Sequence, residues 1–396
     1  MVRLLSRIFI RDPDHYTSPE VRGAYGVLCG VLGIVLNMLL FIGKFTAGLL
    51  SASVAITADA FNNLSDAGSS VITLIGFRLA GKKQDRDHPF GHGRMEYLSG
   101  LFVSVAIILM GFELIKSSFE KILHPEAIEF NLLSVVILVV SIAVKLYMSY
   151  YNRSVGKKIG SAAMSATATD SLSDSIATTV VLIATLVGHF FNILIDGWCG
   201  IIVAVFILIA GIRAAKETID PLLGLPPEPE FVDEIEKIVM AHDGVLGIHD
   251  LIVHDYGPGR RMISLHAEVP SNCNIIETHD TIDNIEAEIS AKLNCAAVIH
   301  MDPIDNDNEK YVAMREYIAE KMKEIDGEIT VHDFRVVPGP THTNLVFDVV
   351  VPFGFRMTDG EVRKAAKTAA ESLAEGGEIF FAVVNIDKSY VRQDKA

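Results

Sequence analysis

The sequence predicts an α-helical membrane protein with six transmembrane helices, followed by a cytoplasmic α+β part built from two consecutive αββαβ units. Three observations carry this expectation. Of the 396 residues half are hydrophobic, yet the formal net charge is −15 and the mean hydropathy is +0.36. A division at Gly224 separates the two tendencies: residues 1–224 hold 18 basic and 17 acidic side chains, whereas 225–396 hold 16 and 32. The first part contains six apolar stretches, each long enough for the roughly 20 residues that a bilayer requires. The second alternates helical and strand periodicities in an order that occurs twice. A single soluble enzyme domain is excluded, as is a nucleic-acid binder, which needs a basic face. Four cysteines without a CxxC pair provide neither a disulfide framework nor a thiolate metal site.

The apolar stretches run over 26–50, 54–80, 98–119, 130–150, 161–187 and 193–213. The first is too long and too late for a cleavable signal peptide, and a tight Leu50–Ser53 connection leads into the second. Loop charges set the orientation. Arg3, Arg7, Arg11 and Arg22 precede the first span. Lys82, Lys83, Arg86 and Arg94 lie between the second and third, and Arg153, Lys157 and Lys158 between the fourth and fifth. The opposite loops (50–53, 120–129 and 188–192) hold only Lys121. Both termini are therefore expected in the cytoplasm.

After Pro221, Pro226, Pro227 and Pro229 the pattern predicts helix 231–242, strands 246–255 and 262–269, helix 277–293 and strand 296–301. The order recurs as helix 309–325, strands 328–337 and 343–351, helix 358–375 and strand 378–387. "HDLIVHDYGP" at 249–258 matches "HDFRVVPGP" at 332–340, and "HAEVP" at 266–270 matches "DVVVP" at 348–352. Each unit is expected to be a small antiparallel sheet covered on one face by helices. The domains are thus 1–224, 225–304 and 305–396.

The membrane part has a repeat of its own. "FNNLSDAGSSVITLIG" (61–76) overlays "TDSLSDSIATTVVLIA" (169–184), with Asn62 over Asp170, on helices expected to run in opposite directions. Inverted pairs with matched polar residues are typical of transporter binding sites. Asp66, Asp170 and Asp174 fall about 14 to 20 Å into a 30 Å hydrocarbon core at 1.5 Å per residue. Asn62 shares a helix face with Asp66, and Asp170 with Asp174. Three carboxylates at that depth each cost several kcal/mol unless cations offset them. Lys145 is expected to snorkel to the cytoplasmic end, while Lys44 lies nearer the interior, so a bound divalent cation is the economical partner; a structural polar network is the alternative. Asp59, nearer the outer end, suits either hydrogen bonding or a place near the ion's exit. Three carboxylates and one amide form a hard oxygen site that suits Mg²⁺, Ca²⁺ or Mn²⁺, whereas zinc prefers His or Cys. Ca²⁺ wants more bidentate ligands and Mg²⁺ sheds water reluctantly. Mn²⁺ fits best.

Six spans, "ADAFNNLSD" in the second, "DHPFGHGRMEYLSG" after it, an acid pair in the fifth and "VIHMDP" in the cytoplasmic part together resemble the cation diffusion facilitator family of divalent-metal/proton antiporters. The resemblance covers about residues 20–304 and implies a ferredoxin-like fold for the cytoplasmic domain and a homodimer. It places the transport site on Asn62, Asp66, Asp170 and Asp174. Zinc-transporting members usually carry His among these positions, and its absence here resembles the manganese-type branch. The resemblance further maps a loop metal site onto Asp85, His88 and His92, where two histidines can meet one ion or make ordinary hydrogen bonds. A regulatory cluster maps onto His249, His266, His279, His300 and Asp302, the alternative being surface histidines on a solvated sheet. The second repeat keeps His332 and Asp387 but has Asp348, Glu361 and Asn385 elsewhere, a pattern expected for a site that has been lost.

These features predict a multi-pass plasma-membrane transporter that exports Mn²⁺ in exchange for protons by alternating access. Divalent metal serves as both substrate and regulator. A Zn²⁺, Fe²⁺ or Cd²⁺ exporter is the nearest alternative, and a membrane metal sensor or cation channel the alternative of another class. A channel needs several weak sites along a pore, whereas one central site is visible. No nucleophile–base pair or phosphate loop points to an enzyme.

Overall fold

The computed structural model describes residues 2–16, 18–50, 54–124, 132–191, 196–374 and 378–389. The connections at 51–53, 125–131 and 192–195, assigned above to the outer side, lie outside the described residues, as does 390–396. Two compact units are formed: residues 1–225 with 255–260, and residues 226–254 with 261–396.

The first unit is entirely helical apart from its connections: α1 (Val2–Phe9), α2 (Pro19–Leu50), α3 (Val54–Ala80), α4 (Met95–Leu123), α5 (Leu132–Ile159), α6 (Ala162–Phe191) and α7 (Asp196–Leu223). Among the described residues, four stretches are long and apolar enough to cross a membrane: Glu20–Ala47, Met95–Leu123, Leu132–Ile159 and Gly197–Leu223. α3 and α6, of 27 and 30 residues, are as long but carry the Asn, Asp, Ser and Thr residues that lower their hydropathy. α2 packs on α3, α4 on α7 and α5 on α6. Small residues permit the close approaches, as expected where packing rather than hydrophobicity drives helix association. A Cβ at Gly26 of α2 would sit 2.2 Å from the Phe77 ring on α3, and one at Gly100 would lie 2.7 Å from Thr218 on α7. Several buried hydroxyls donate within their own helices, as with Ser104 to the Gly100 carbonyl at 2.8 Å.

One element differs in a way that matters for function. α5 continues to Ile159, nine residues beyond the predicted 150. Lys145 therefore lies in the middle of its helix rather than near an end, and is 2% exposed. It belongs to a buried stripe with Ser141, Ser149 and Asn152, the i, i+4, i+8, i+11 spacing of one helix face.

The second unit runs α8 (Pro229–Met240), β1 (Gly247–Asp255), β2 (Arg261–Pro270), α9 (Ile275–Leu293), β3 (Cys295–Ile304), α10 (Glu309–Lys323), β4 (Thr330–Pro338), β5 (Thr343–Pro352), α11 (Asp359–Glu371) and β6 (Phe380–Ser389). The sheets have orders β1-β2-β3 and β4-β5-β6. They are mixed rather than antiparallel: β2 pairs with β3 and β5 with β6 in parallel. α9 and α11 are the crossovers, and a helix between two strands returns the chain to run in the same direction. Caps mark the helix starts. Asn274 and Asn308 accept from the backbone at the heads of α9 and α10, and Thr358 with Glu361 closes a capping box on α11.

Strand alternation divides each sheet into two faces. On β2, Ile263, Leu265 and Ala267 are buried in a core with Ile285 and Ile289 of α9, and Val269 is buried as well. On β5, Leu345, Phe347, Val349 and Val351 face Ile318 of α10 and Ala366 of α11. The opposite face of β2 carries His266 and Glu268, and that of β5 carries Asp348. The intervening positions on both strands are half-buried rather than exposed. The two polar faces meet: the His249 and His332 rings stack with centroids 5.7 Å apart, and the Asp333 N–H lies 3.5 Å from Glu268 Oε1.

Candidate metal centre

α3 and α6 bring Asp66, Asp170 and Asp174 together, with one carboxylate oxygen from each within 4.8 Å of the others. Asp170 is 6% exposed. The helices are held side by side by the Thr73 and Thr167 hydroxyls, 3.0 Å apart, and Ser70 donates to the Asp66 carbonyl. Asn63 is buried and donates to Asp66 Oδ2 at 3.3 Å, whereas Asn62 is exposed in the single protomer. The side chain of Asp59 lies outside the described residues.

Lys145 corrects the expectation that it snorkels. Its Nζ lies 2.7 Å from Asp66 Oδ2 and 2.6 Å from Asp174 Oδ2. A primary ammonium thus bridges carboxylates from two helices, where a free cation would otherwise sit. It offsets part of the charge and binds the site by charge-assisted hydrogen bonds, which are stronger than neutral ones. The signal in the sequence was the lysine's membership of the Ser141–Asn152 stripe; truncating the helix at 150 hid it.

The loop between α3 and α4 gathers Asp85, His88 and His92. His88 Nδ1 lies 3.5 Å from Asp85 Oδ1, His92 Nε2 lies 3.6 Å from Asp85 Oδ2, and the two rings are 4.4 Å apart. Lys82 donates to Asp85 Oδ2 at 2.7 Å and the His88 N–H to Oδ1 at 2.8 Å. These contacts, that with Lys82 first, hold the Asp85 carboxyl well below the usual carboxylate range. Lys82 therefore competes with any ion for the same oxygen.

In the second unit His249, His266 and Asp302 converge. His266 Nδ1 lies 2.8 Å from Asp302 Oδ2, His249 Nε2 3.1 Å from the same oxygen, and His300 Nε2 3.4 Å from Oδ1. The parallel register that pairs His266 with His300 and Glu268 with Asp302 creates this clustering. His279 stands apart on α9, exposed and 3.3 Å from Asp283 Oδ2. The donor set and the buried His249 ring, whose nitrogens lack a hydrogen-bond partner among the described residues, fit a divalent ion.

Two groupings were not visible in the sequence because they need both repeats. His249, Glu268 and His332 form one, and Asp250, Asp348 and Asp387 the other. Asp250 and Asp333, which follow His249 and His332, have left-handed φ values of +52° and +50°, and β4 shifts register between His332 and Arg335. Such bulges re-aim side chains; Asp tolerates the left-handed region better than most residues. The duplicated His-Asp dipeptide was the available signal. Burial, then His249, lowers the pKa of His332.

The transmembrane and second-unit arrangements agree with the comparisons to known proteins. Residues 30–223 match the cation efflux transmembrane domain and residues 227–304 the cytoplasmic domain of cation efflux proteins. An uncharacterised transporter of Methanocaldococcus jannaschii is 36% identical over 276 residues, 69% of this chain and 97% of that protein. A cadmium, cobalt and zinc/H(+)-K(+) antiporter of Bacillus subtilis is 27% identical over 64% of this chain and 82% of its own. Metal tolerance protein C1 of Arabidopsis thaliana is 25% identical over 91% and 83%. The chain belongs to the cation diffusion facilitator family: it is a membrane transporter of divalent metal cations, not an enzyme.

The acid cluster on β5 has a measurable consequence. Burial, followed by Asp387 and Asp250, raises the Asp348 pKa to about 6. A carboxyl whose folded pKa exceeds its unfolded value contributes stability at low pH and loses it as pH rises from about 4 to about 6. Asp348→Asn should therefore raise the melting temperature at pH 7.5 in chelator, and the gain should vanish at pH 4. Thermal unfolding at the two pH values checks this.

Proposed function

We propose that this chain exports Mn²⁺ from the cytoplasm in exchange for protons, as a homodimer with six membrane spans per protomer and both termini in the cytoplasm. Residues 1–224 form the plasma-membrane domain, 225–304 the cytoplasmic ferredoxin-like domain and 305–396 its second copy. One observation supports the metal reading above others: Asp66, Asp170 and Asp174 converge from α3 and α6 with no imidazole or thiol in the group. Hard oxygen donors favour Mn²⁺ over Zn²⁺. Asn62 supplies a fourth oxygen, and water or a backbone carbonyl completes the shell.

The mechanism follows from charge. Three carboxylates around a divalent ion leave the site near neutral once Lys145 is counted. Without the ion the carboxylates repel one another, and Lys145 offsets only part of the excess. Protons replace the metal on the return step, so competition for the same oxygens couples the two fluxes. Lys145 acts as a tethered competitor: an entering ion must draw Asp66 and Asp174 away from its ammonium. The loop site, the His266–Asp302 cluster and the acidic cytoplasmic domain bind divalent ions as regulators. Self-repulsion in that domain is relieved by metal, which tightens the dimer by mass action.

Asp170→Ala should reduce Mn²⁺ transport in proteoliposomes at least about 100-fold, about 2.7 kcal/mol, while the protein remains a folded dimer on gel filtration. Robust transport by this variant sinks the site assignment. Lys145→Met should strengthen apparent Mn²⁺ affinity roughly tenfold, about 1.4 kcal/mol, and slow turnover because the emptied site keeps an extra uncompensated charge. Unchanged affinity in a folded variant makes the lysine a structural strut rather than a competitor.

A further inference from the structure

His249 is used by more than one cluster. It is 7% exposed, and neither ring nitrogen makes a hydrogen bond among the described residues. Each nitrogen nevertheless approaches a carboxylate. Nε2 lies 3.1 Å from Asp302 Oδ2 and Nδ1 lies 3.7 Å from Glu268 Oε1. Buried polar atoms are nearly always hydrogen-bonded, so an imidazole that sits between two carboxylates without bonding to either calls for another partner. On the Nε2 side that partner belongs to the His266–Asp302 cluster. On the Nδ1 side the second repeat supplies His332, so that His249, Glu268 and His332 each place a ligand atom within 4.8 Å of the others.

We propose that His249, Glu268 and His332 form a second cytoplasmic site for a Zn²⁺-class divalent ion, which ties the two αββαβ repeats together. The donor set determines the class. Two imidazoles and one carboxylate are ligands that tetrahedral zinc accepts, with water in the fourth position, whereas the membrane site offers oxygen alone. The surroundings fit a built site. The His332 ring is fixed by a 2.9 Å contact of Nε2 with the Thr330 hydroxyl, the kind of outer contact that orients metal-binding histidines. A Cβ at Gly247 would stand 2.9 Å from Glu268 Oε2, so glycine there leaves room for the carboxylate in this position. A cavity of about 300 Å³, lined by Glu268, His332, Asp333 and Asn306 among others, opens onto the cluster and provides a way in. Arg315 on its wall is engaged by Asn306 Oδ1 at 2.9 Å.

This gives the terminal repeat a role. His332 joins β4 to β1 and β2 through the ion, so metal of one class stiffens the cytoplasmic pair while metal of another class is carried through the membrane.

The test uses full-length, metal-stripped protein in detergent, with Asp170→Asn, His88→Ala and His92→Ala in every variant to silence the membrane and loop sites, and counts bound Zn²⁺ by equilibrium dialysis. His266→Ala removes the neighbouring cluster and should leave a Zn²⁺ ion per chain in the second unit; adding His332→Ala should remove it. Glu268→Gln, close in shape to the native side chain, should weaken the same ion at least tenfold on the His266→Ala background. Unfolding in chelator that matches the parent confirms that each variant is folded. Zinc should raise the melting temperature of the His266→Ala protein and not that of the double variant. The proposal is overturned if His266→Ala alone leaves no zinc in the second unit, or if the double variant binds as the single one does.

Discussion

The contact on which the membrane half depends is the Lys145 ammonium between Asp66 and Asp174. Three acids buried among helices cannot remain uncompensated, because the interior neither solvates charge nor screens it. The lysine offsets part of that charge, and it links α5 to α3 and α6 at the proposed metal site. A permanently compensated site would hold its lysine and ignore metal, whereas an uncompensated one would hold metal and never release it. A tethered single charge facing a mobile double charge lies between these extremes, as a transporter requires.

The second unit solves a different problem. Each sheet buries one face under its helices, and its other face carries histidines and acids. The presence of two such sheets lets these polar faces cover one another. The result is a shielded seam of His249, His266, His332, Glu268, Asp302 and Asp348 in place of two solvated surfaces. Shielding raises the pKa of Asp348 and strips His249 of hydrogen bonds, which turns residues that would be ordinary on a wet surface into responsive ones. The family's cytoplasmic domain match ends at 304, so the seam is built with chain that lies beyond that match.

Much of this was legible in the sequence. Apolar runs separated by charged turns marked the six long helices, and the period-2 and period-3.6 stretches marked all ten elements of the second unit to within a few residues. Asp66, Asp170 and Asp174 were legible because acids in apolar helices are conspicuous. Three things were not. Lys145 was misplaced because helix ends are set by capping and packing, and α5 outruns its apolar stretch. The parallel pairing of β2 with β3 was missed because strand alternation records which face is buried and not which way the neighbour runs. The His249–Glu268–His332 grouping was missed because it depends on the packing of two sheets, which no local pattern encodes.

In the proposed cycle an all-oxygen cluster guarded by a lysine moves Mn²⁺ against protons. Its most direct test is a competition in proteoliposomes under an imposed pH gradient, with equimolar Mn²⁺ and Zn²⁺ on the cytoplasmic face of the protein and internal pH recorded together with metal uptake. Mn²⁺ should accumulate above equilibrium, with proton movement in the opposite direction and little loss of Mn²⁺ flux to zinc. Preferential Zn²⁺ transport, or Mn²⁺ flux indifferent to the pH gradient, would contradict it.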